Sequence, residues 1–297
     1  MDELIRLLQE TFFISDTSGV EAYAGSYSAP LILLSFLIAA LGSFTALRIS
    51  HEMHFAQGAR RHLLHGAGAL CFGAGIWAMH FIGMLSYRME MRMSYDAALT
   101  SLSLLIAAGI AWVVLYIVQK NRYLSWRLLP AALLLGFAIC GMHYTGMAAI
   151  RTQADMLYLP SMFAVSIVVA VVLAVIALAS RKLLRPFIVK SLPRIIVSAV
   201  IMGFAISSMH YTAMHATVFL PAAEAAQAPI SGADTNLIVM SALTVAIFIV
   251  VLSAVVVVLM NRQQRLALQA VSRGERVREL TERLQSVADR IPGMVYQ

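Results

Sequence analysis

Apolar residues along this chain run in long blocks broken by short polar stretches. Seven blocks are long enough to cross the ~30 Å of bilayer hydrocarbon, which takes about 20 helical residues. They lie near residues 30–49, 64–86, 97–119, 128–150, 160–180, 195–217 and 237–260. The predicted fold class is therefore all-α, a polytopic membrane protein of seven transmembrane helices.

Composition agrees. Of 297 residues, 60% are hydrophobic and 12% charged, with a mean hydropathy of +0.81. Soluble domains stand nearer ~45–50% apolar and ~25% charged, so a water-soluble enzyme is excluded. The net charge of +7 raises a nucleic-acid reading, which the position of the bases rejects. Lys and Arg fall in the first, third and fifth connections between spans and in the tail, 18 of the 22 in all. The other side holds only Arg6, Arg88, Arg92 and Arg151. By the positive-inside rule the N-terminus is expected outside and the C-terminus in the cytoplasm. The connection 218–236, with Glu224, Asp234 and no base, suits the outer side.

The chain begins Met-Asp-Glu-Leu-Ile, acidic where a signal peptide is basic, so no cleavage is expected. Residues 1–27 are expected to form an extracytoplasmic segment. In it Leu4, Ile5, Leu7, Leu8, Phe12 and Phe13 can form one face of an interfacial helix. Cys71 and Cys140 both lie in apolar stretches and define no disulfide framework.

Three segments match one another. Gly73-Ala-Gly-Ile-Trp-Ala-Met-His-Phe-Ile-Gly-Met84 aligns with residues 136–147 and 203–214, keeping Gly, Ile, Met, His and the final Met at the same offsets. His80, His143 and His210 each sit in the outer half of an even-numbered span, roughly 6–10 Å below its boundary at 1.5 Å per residue. The unit is a helical hairpin used three times. An even number of spans gives every copy the same orientation, so three imidazoles can meet at one depth around one axis.

Positions i and i+4 share a helix face, which pairs His80 with Met84, His143 with Met147 and His210 with Met214. Met79, Met142 and Met209 stand about 100° away, at the edge of that face. Gly83, Gly146 and Ala213 flank the pairs, and small residues let membrane helices approach closely. Imidazole and thioether together are neutral, soft ligands, suited to Cu(I). A divalent ion would carry uncompensated charge in a dry site, which makes zinc the second choice. One intramembrane His is ordinarily hydrogen-bonded to a neighbouring helix, and one apolar-face Met is ordinarily packing. Three copies at matched depth point instead to a shared polar or metal site. Other residues carry less. Phe81, Tyr144 and Tyr211 are either neighbours of the site or packing. Cys140 has Trp77 and Ser207 as its equivalents, and His215 has no counterpart. His51, His54, His62 and His65 read as cytoplasmic loop residues near lipid headgroups. Asp96 and Asp155 read as solvated.

The tetrads Met142-His-Tyr-Thr and Met209-His-Tyr-Thr, with Met79-His-Phe-Ile, resemble the MHYT domain, a bacterial inner-membrane sensor module named for this motif. The resemblance spans about 28–260. It implies copper bound through Met79, His80, Met142, His143, Met209 and His210, and sensing of a diatomic gas such as O2, NO or CO. It also implies a fused PAS, GGDEF or EAL domain acting on cyclic di-GMP.

The tail fits such an output. Val277, Leu280, Leu284, Val287 and Ile291 recur three and four apart, the seam of a short parallel coiled coil across 261–290 and a route to a homodimer. An amphipathic helix lying on anionic lipid is the other reading. Residues 291–297 resemble the opening of a PAS domain. No GGDEF or EAL signature is present, and this segment is expected to catalyse nothing. A copper transporter or channel and a b-type haem protein stand as alternatives. A retinal protein does not, because Lys120, Lys182 and Lys190 all lie in connections and no intramembrane amine can form a Schiff base.

Overall fold

The computed structural model describes residues 11–15, 22–89, 93–120, 126, 128–221 and 233–288. Seven long helices carry the chain: α1 Ala29–Glu52, α2 Gly58–Ser86, α3 Ala97–Lys120, α4 Leu128–Ala148, α5 Pro160–Leu183, α6 Ser191–Ala216 and α7 Thr235–Ala288. Each is long and apolar enough to cross a membrane, α7 through its segment Asn236–Leu259. The spans read from hydropathy therefore hold, with α2 and α6 starting several residues earlier than apolarity alone indicated. Proline opens α1 and α5, where its missing N–H costs the helix no bond. The first compact unit ends at Ser253, and the rest of α7 belongs to a second.

Within the first unit, each of α1 to α6 packs on the next, and α6 returns to pack on α1. This closed ring encloses a triangle of α2, α4 and α6, which also touch one another. Glycine makes the ring tight at equivalent places. A Cβ on Gly73 would stand 2.5 Å from the Cα of Ala108 on α3. One on Gly136 would stand 3.1 Å from the Cα of Val171 on α5. One on Gly203 would stand 2.9 Å from the Cα of Ala40 on α1. The inner helix of each hairpin thus leans on the outer helix of the following one, and the third leans on the first.

Short strands at one end of the bundle join the repeats, a feature that the apolar blocks did not announce. They are β1 Ser26–Tyr27, β2 Tyr87–Arg88, β3 Met93–Tyr95, β4 Ile150–Thr152, β5 Ala154–Tyr158, β6 Thr217–Pro221 and β7 Ala233–Asp234. All pair antiparallel: β1 with β2, β3 with both β4 and β7, and β5 with β6 from Ala154↔Pro221 to Tyr158↔Thr217. Tyr95 and Phe219 are buried beneath them, and burial pushes the Tyr95 phenol up to about 12.

Several polar residues stand differently from expectation. Asp96 is engaged as well as solvated: its Oδ1 accepts the Leu99 N–H at 3.0 Å, capping α3, and Oδ2 accepts from Arg151 at 3.1 Å. His65 is no loop residue. It is buried in α2, with Nε2 2.9 Å from the Trp112 carbonyl. His51 and His62 likewise lie within α1 and α2, His62 on an exposed face, while His54 stands exposed just past the end of α1. Leu4, Ile5, Leu7 and Leu8 lie outside the described residues. Phe13 is half-buried and packs edge-on against Phe163 of α5, at 5.3 Å between ring centroids.

Substitutions at the ring and at the α3 cap should separate these contributions. Gly73→Val forces a side chain into the α3 backbone and should destabilise the bundle by about 1–3 kcal/mol, whereas Gly109→Ala, where a Cβ meets nothing within 4 Å, should be silent in detergent melting. The Leu99 amide, with Arg151, holds the Asp96 carboxyl below the ordinary carboxylate range. Its charged form therefore stabilises the fold above the unfolded pKa of about 3.9, and that contribution is lost as pH falls through the lower folded value. The melting difference between wild type and Asp96→Asn should be present at neutral pH and vanish in acid.

Candidate metal centre

His80, His143 and His210 sit five or six residues before the ends of α2, α4 and α6, about 8–9 Å along each axis. Matched depth and the triangle of inner helices bring them together. All three are fully buried. Nδ1 of His80 lies 3.1 Å from that of His143 and 3.2 Å from that of His210, and the last pair is also 3.2 Å apart. The rings stand nearly perpendicular to one another, at 83–87°, like three faces meeting at a corner.

Protons alone cannot satisfy this corner. A neutral imidazole nitrogen in the ring plane is either a donor or an acceptor, never both. One Nδ1–H can face two lone pairs, but the remaining pair then sets lone pair against lone pair. A metal ion between them would be held by all three, and separations of 3.1–3.2 Å leave room for one ion at ordinary metal–imidazole lengths of about 2.0–2.1 Å. Among the described residues this is the one cluster of three or more His, Cys, Asp or Glu able to hold a metal ion. Its donor set is three neutral nitrogens, with no carboxylate or thiolate.

The opposite ring edges explain the flanking glycines. A Cβ on Gly83 would stand 2.5 Å from Nε2 of His210, and one on Gly146 would stand 2.5 Å from Nε2 of His80. The His210 and His80 rings are therefore each seated against a neighbouring helix at a residue with no side chain. At the third corner the repeat carries Ala213. All three Nε2 atoms are buried without a hydrogen-bond partner among the described residues. An unsatisfied buried polar group costs about 1–3 kcal/mol, so the cluster is an expensive way to pack a core.

The six methionines of the motif are all buried in the same core: Met79, Met142, Met209, Met84, Met147 and Met214. The mutual approach at Nδ1 is made by the imidazoles. Tyr144 and Tyr211 act between helices. Ser166 and Ser35 each donate to a carbonyl of their own helix, so each receives its tyrosine hydroxyl, at 2.7 and 2.9 Å. Phe81 has no hydroxyl, and Ser103, at the place corresponding to Ser35 and Ser166, bonds only to Thr100 among the described residues. His215 is exposed, and the buried thiols of Cys71 and Cys140 stand outside the histidine cluster. The signal for the glycine seats was in the sequence as His-x-x-Gly in two repeats, legible only as room for close approach. Which ring nitrogen faces inward was not legible.

Three segments, residues 73–131, 136–187 and 203–274, match the MHYT family, described as a bacterial signalling protein N terminal repeat. The chain belongs to the MHYT family. The three matches begin at Gly73, Gly136 and Gly203, the residues that close the ring. The cyclic di-GMP phosphodiesterase NbdA of Pseudomonas aeruginosa is 37% identical over 199 residues, 65% of this chain and 25% of that protein. The bifunctional diguanylate cyclase/cyclic di-GMP phosphodiesterase MucR of the same organism is 34% identical over 262 residues, 86% of this chain and 38% of that protein. The signaling protein YkoW of Bacillus subtilis is 35% identical over 199 residues, 65% of this chain and 24% of that protein. The MHYT chain thus spans about a quarter to two fifths of these relatives. No solved structure matches it. It is a multi-pass protein of the bacterial inner membrane carrying the MHYT sensor module of cyclic di-GMP signalling proteins, and that module is not a catalytic domain.

The seats give a prediction. Gly146→Ala should displace the His80 ring and lower metal retention several-fold in the purified protein. Gly141→Ala, whose Cβ would meet Ile106 at an ordinary 3.5 Å, should retain metal as wild type does.

Proposed function

We propose that this chain is a membrane sensor that binds copper at the triangle of His80, His143 and His210. The observation that carries the proposal is the convergence of three buried Nδ1 atoms at 3.1–3.2 Å in a site without anionic ligands. Neutral imidazoles favour a soft, low-charge ion in a dry core, hence Cu(I), with zinc second. Met79, Met142, Met209, Met84, Met147 and Met214 supply thioethers that further select copper over zinc. A bound copper ion would offer affinity for a diatomic ligand such as O2, NO or CO. The protein's part is to hold the three rings, exclude water beneath the strands, and keep the imidazoles neutral.

The organisation proposed for the chain follows its charges and periodicity. Residues 1–27 are extracytoplasmic, 28–260 form the seven-helix sensor, 261–290 form a cytoplasmic signalling helix, and 291–297 begin a downstream PAS-like domain. Ile291 to Gln297 lie outside the described residues. Val277, Leu280, Leu284 and Val287 are exposed on α7. A second copy covers this stripe as a parallel coiled coil and carries the signal to a fused cyclic di-GMP effector, the activity named in two of the relatives.

Two other functions fit less well. A haem with two axial histidines holds their nitrogens on opposite sides of one iron, about 4 Å apart with the macrocycle between, and the rings here are closer than that and seated against glycines. A cation channel would need a path of neutral or acidic groups continuing to the cytoplasmic end, where Arg181, Lys182, Arg185 and Arg194 gather instead.

Elemental analysis of the detergent-purified chain is the test. Wild type should carry near-stoichiometric copper after Cu(I) loading, and His143→Ala should lose at least tenfold in occupancy while keeping its helical content. Binding should also weaken in acid, because protons compete for ligand imidazoles. Equal metal in both proteins, or none in either, rejects the copper site.

A further inference from the structure

At the end of the bundle remote from the histidines, α1, α3, α5 and α6 line a cavity of about 500 Å³. Along α6 the distance from Arg194, at the cavity, to His210 is sixteen residues, about 24 Å. The mouth is lined by Arg181, Lys182, Arg185, Arg194 and His54, and no carboxylate lines the cavity. Arg181 donates through Nη2 to Nδ1 of His51 at 3.3 Å, and Arg194 donates through Nη1 to the Ile188 carbonyl at 3.0 Å. A guanidinium has five N–H donors, so both retain donors to offer. Arg48, beside the lining residue Leu47 on α1, is 3% exposed, and its Nε has no hydrogen-bond partner among the described residues.

The deeper wall is apolar. Leu47, Val118, Leu178 and Met202 line it, and they also line a smaller void that runs in towards Phe72. A cationic rim above an apolar wall, at the end of membrane helices, matches an anion attached to something greasy. Guanidinium forks from two helices suit the oxygens of phosphate, which they can grip in bidentate fashion. Half-buried cations crowded together repel one another, and an anion bound between them relieves this.

We propose that this cavity is a binding site for a phosphate group, carried by an anionic phospholipid or free in solution. The site is separate from the metal centre, and its test does not depend on metal. The full chain is purified in a maltoside detergent, which contains no phosphate. Phosphatidylglycerol is then titrated in and retained lipid counted by native mass spectrometry, while inorganic phosphate is added in a parallel melting experiment.

Wild type should bind phosphatidylglycerol at least tenfold more tightly than the Arg181→Gln/Arg194→Gln variant. Arg185→Gln alters only an exposed rim residue and should weaken binding about threefold, which keeps the test open if the double variant folds poorly. Preference for the lipid identifies a headgroup site. Stabilisation of wild type, and not of the variants, by phosphate alone identifies a soluble phosphate site. Wild type and both variants responding alike to both probes overturns the proposal.

Discussion

Three imidazoles held 3.1–3.2 Å apart at Nδ1 impose conditions that the surrounding helices must meet. The rings cannot approach unless α2, α4 and α6 converge, and those helices cannot converge unless something small lies behind each ring. Gly83 and Gly146 meet that need directly. Burial without partners at all three Nε2 atoms makes the arrangement costly to the fold. The rest of the structure supplies what offsets it: a closed ring of outer helices, and strands that shield the histidine end.

The ring holds because its contacts run in one rotational sense. Each inner helix is pressed by glycine onto the next hairpin's outer helix, at Ala108, Val171 and Ala40. Two of these junctions are further tied by tyrosine to serine, Tyr144 to Ser166 and Tyr211 to Ser35. The junction of α2 and α3 has Phe81 in place of tyrosine and is held differently: Trp77 Nε1 donates to the Thr100 carbonyl at 3.3 Å, and Phe81 packs against Tyr95 at 5.6 Å between centroids. The threefold pattern is therefore broken at one seam, in the hairpin that carries the most buried helix.

Much of this was legible in the sequence, for physical reasons. Spans showed because the bilayer demands unbroken apolar length, and α1 to α6 kept their ends within a few residues except where Gly58 and Ser191 extend helices past the apolar block. The histidines showed because a polar side chain repeated three times at one membrane depth is more than packing requires. Periodicity could not show the strands: β2, β3 and β7 are two or three residues long, and their pairing is set by which helix ends meet. It could not show the cationic cavity either, because Arg181 and Arg194 in a connecting segment encode orientation whether or not they also face a common space. His65 was misplaced for a similar reason. Helix α2 begins at Gly58, so a histidine at the very start of the apolar block 64–86 is two turns inside the helix.

Counting spans has one more consequence. Each hairpin crosses the membrane twice and returns the chain to the face it left, so gaining or losing a whole repeat preserves the sidedness of everything that follows. The repeated part alone can therefore never deliver its two ends to opposite faces. That task falls to α7, the one span outside the ring of six, which continues unbroken to Ala288. Parity makes this seventh helix the piece that turns a ring of hairpins in the bilayer into a through-connection.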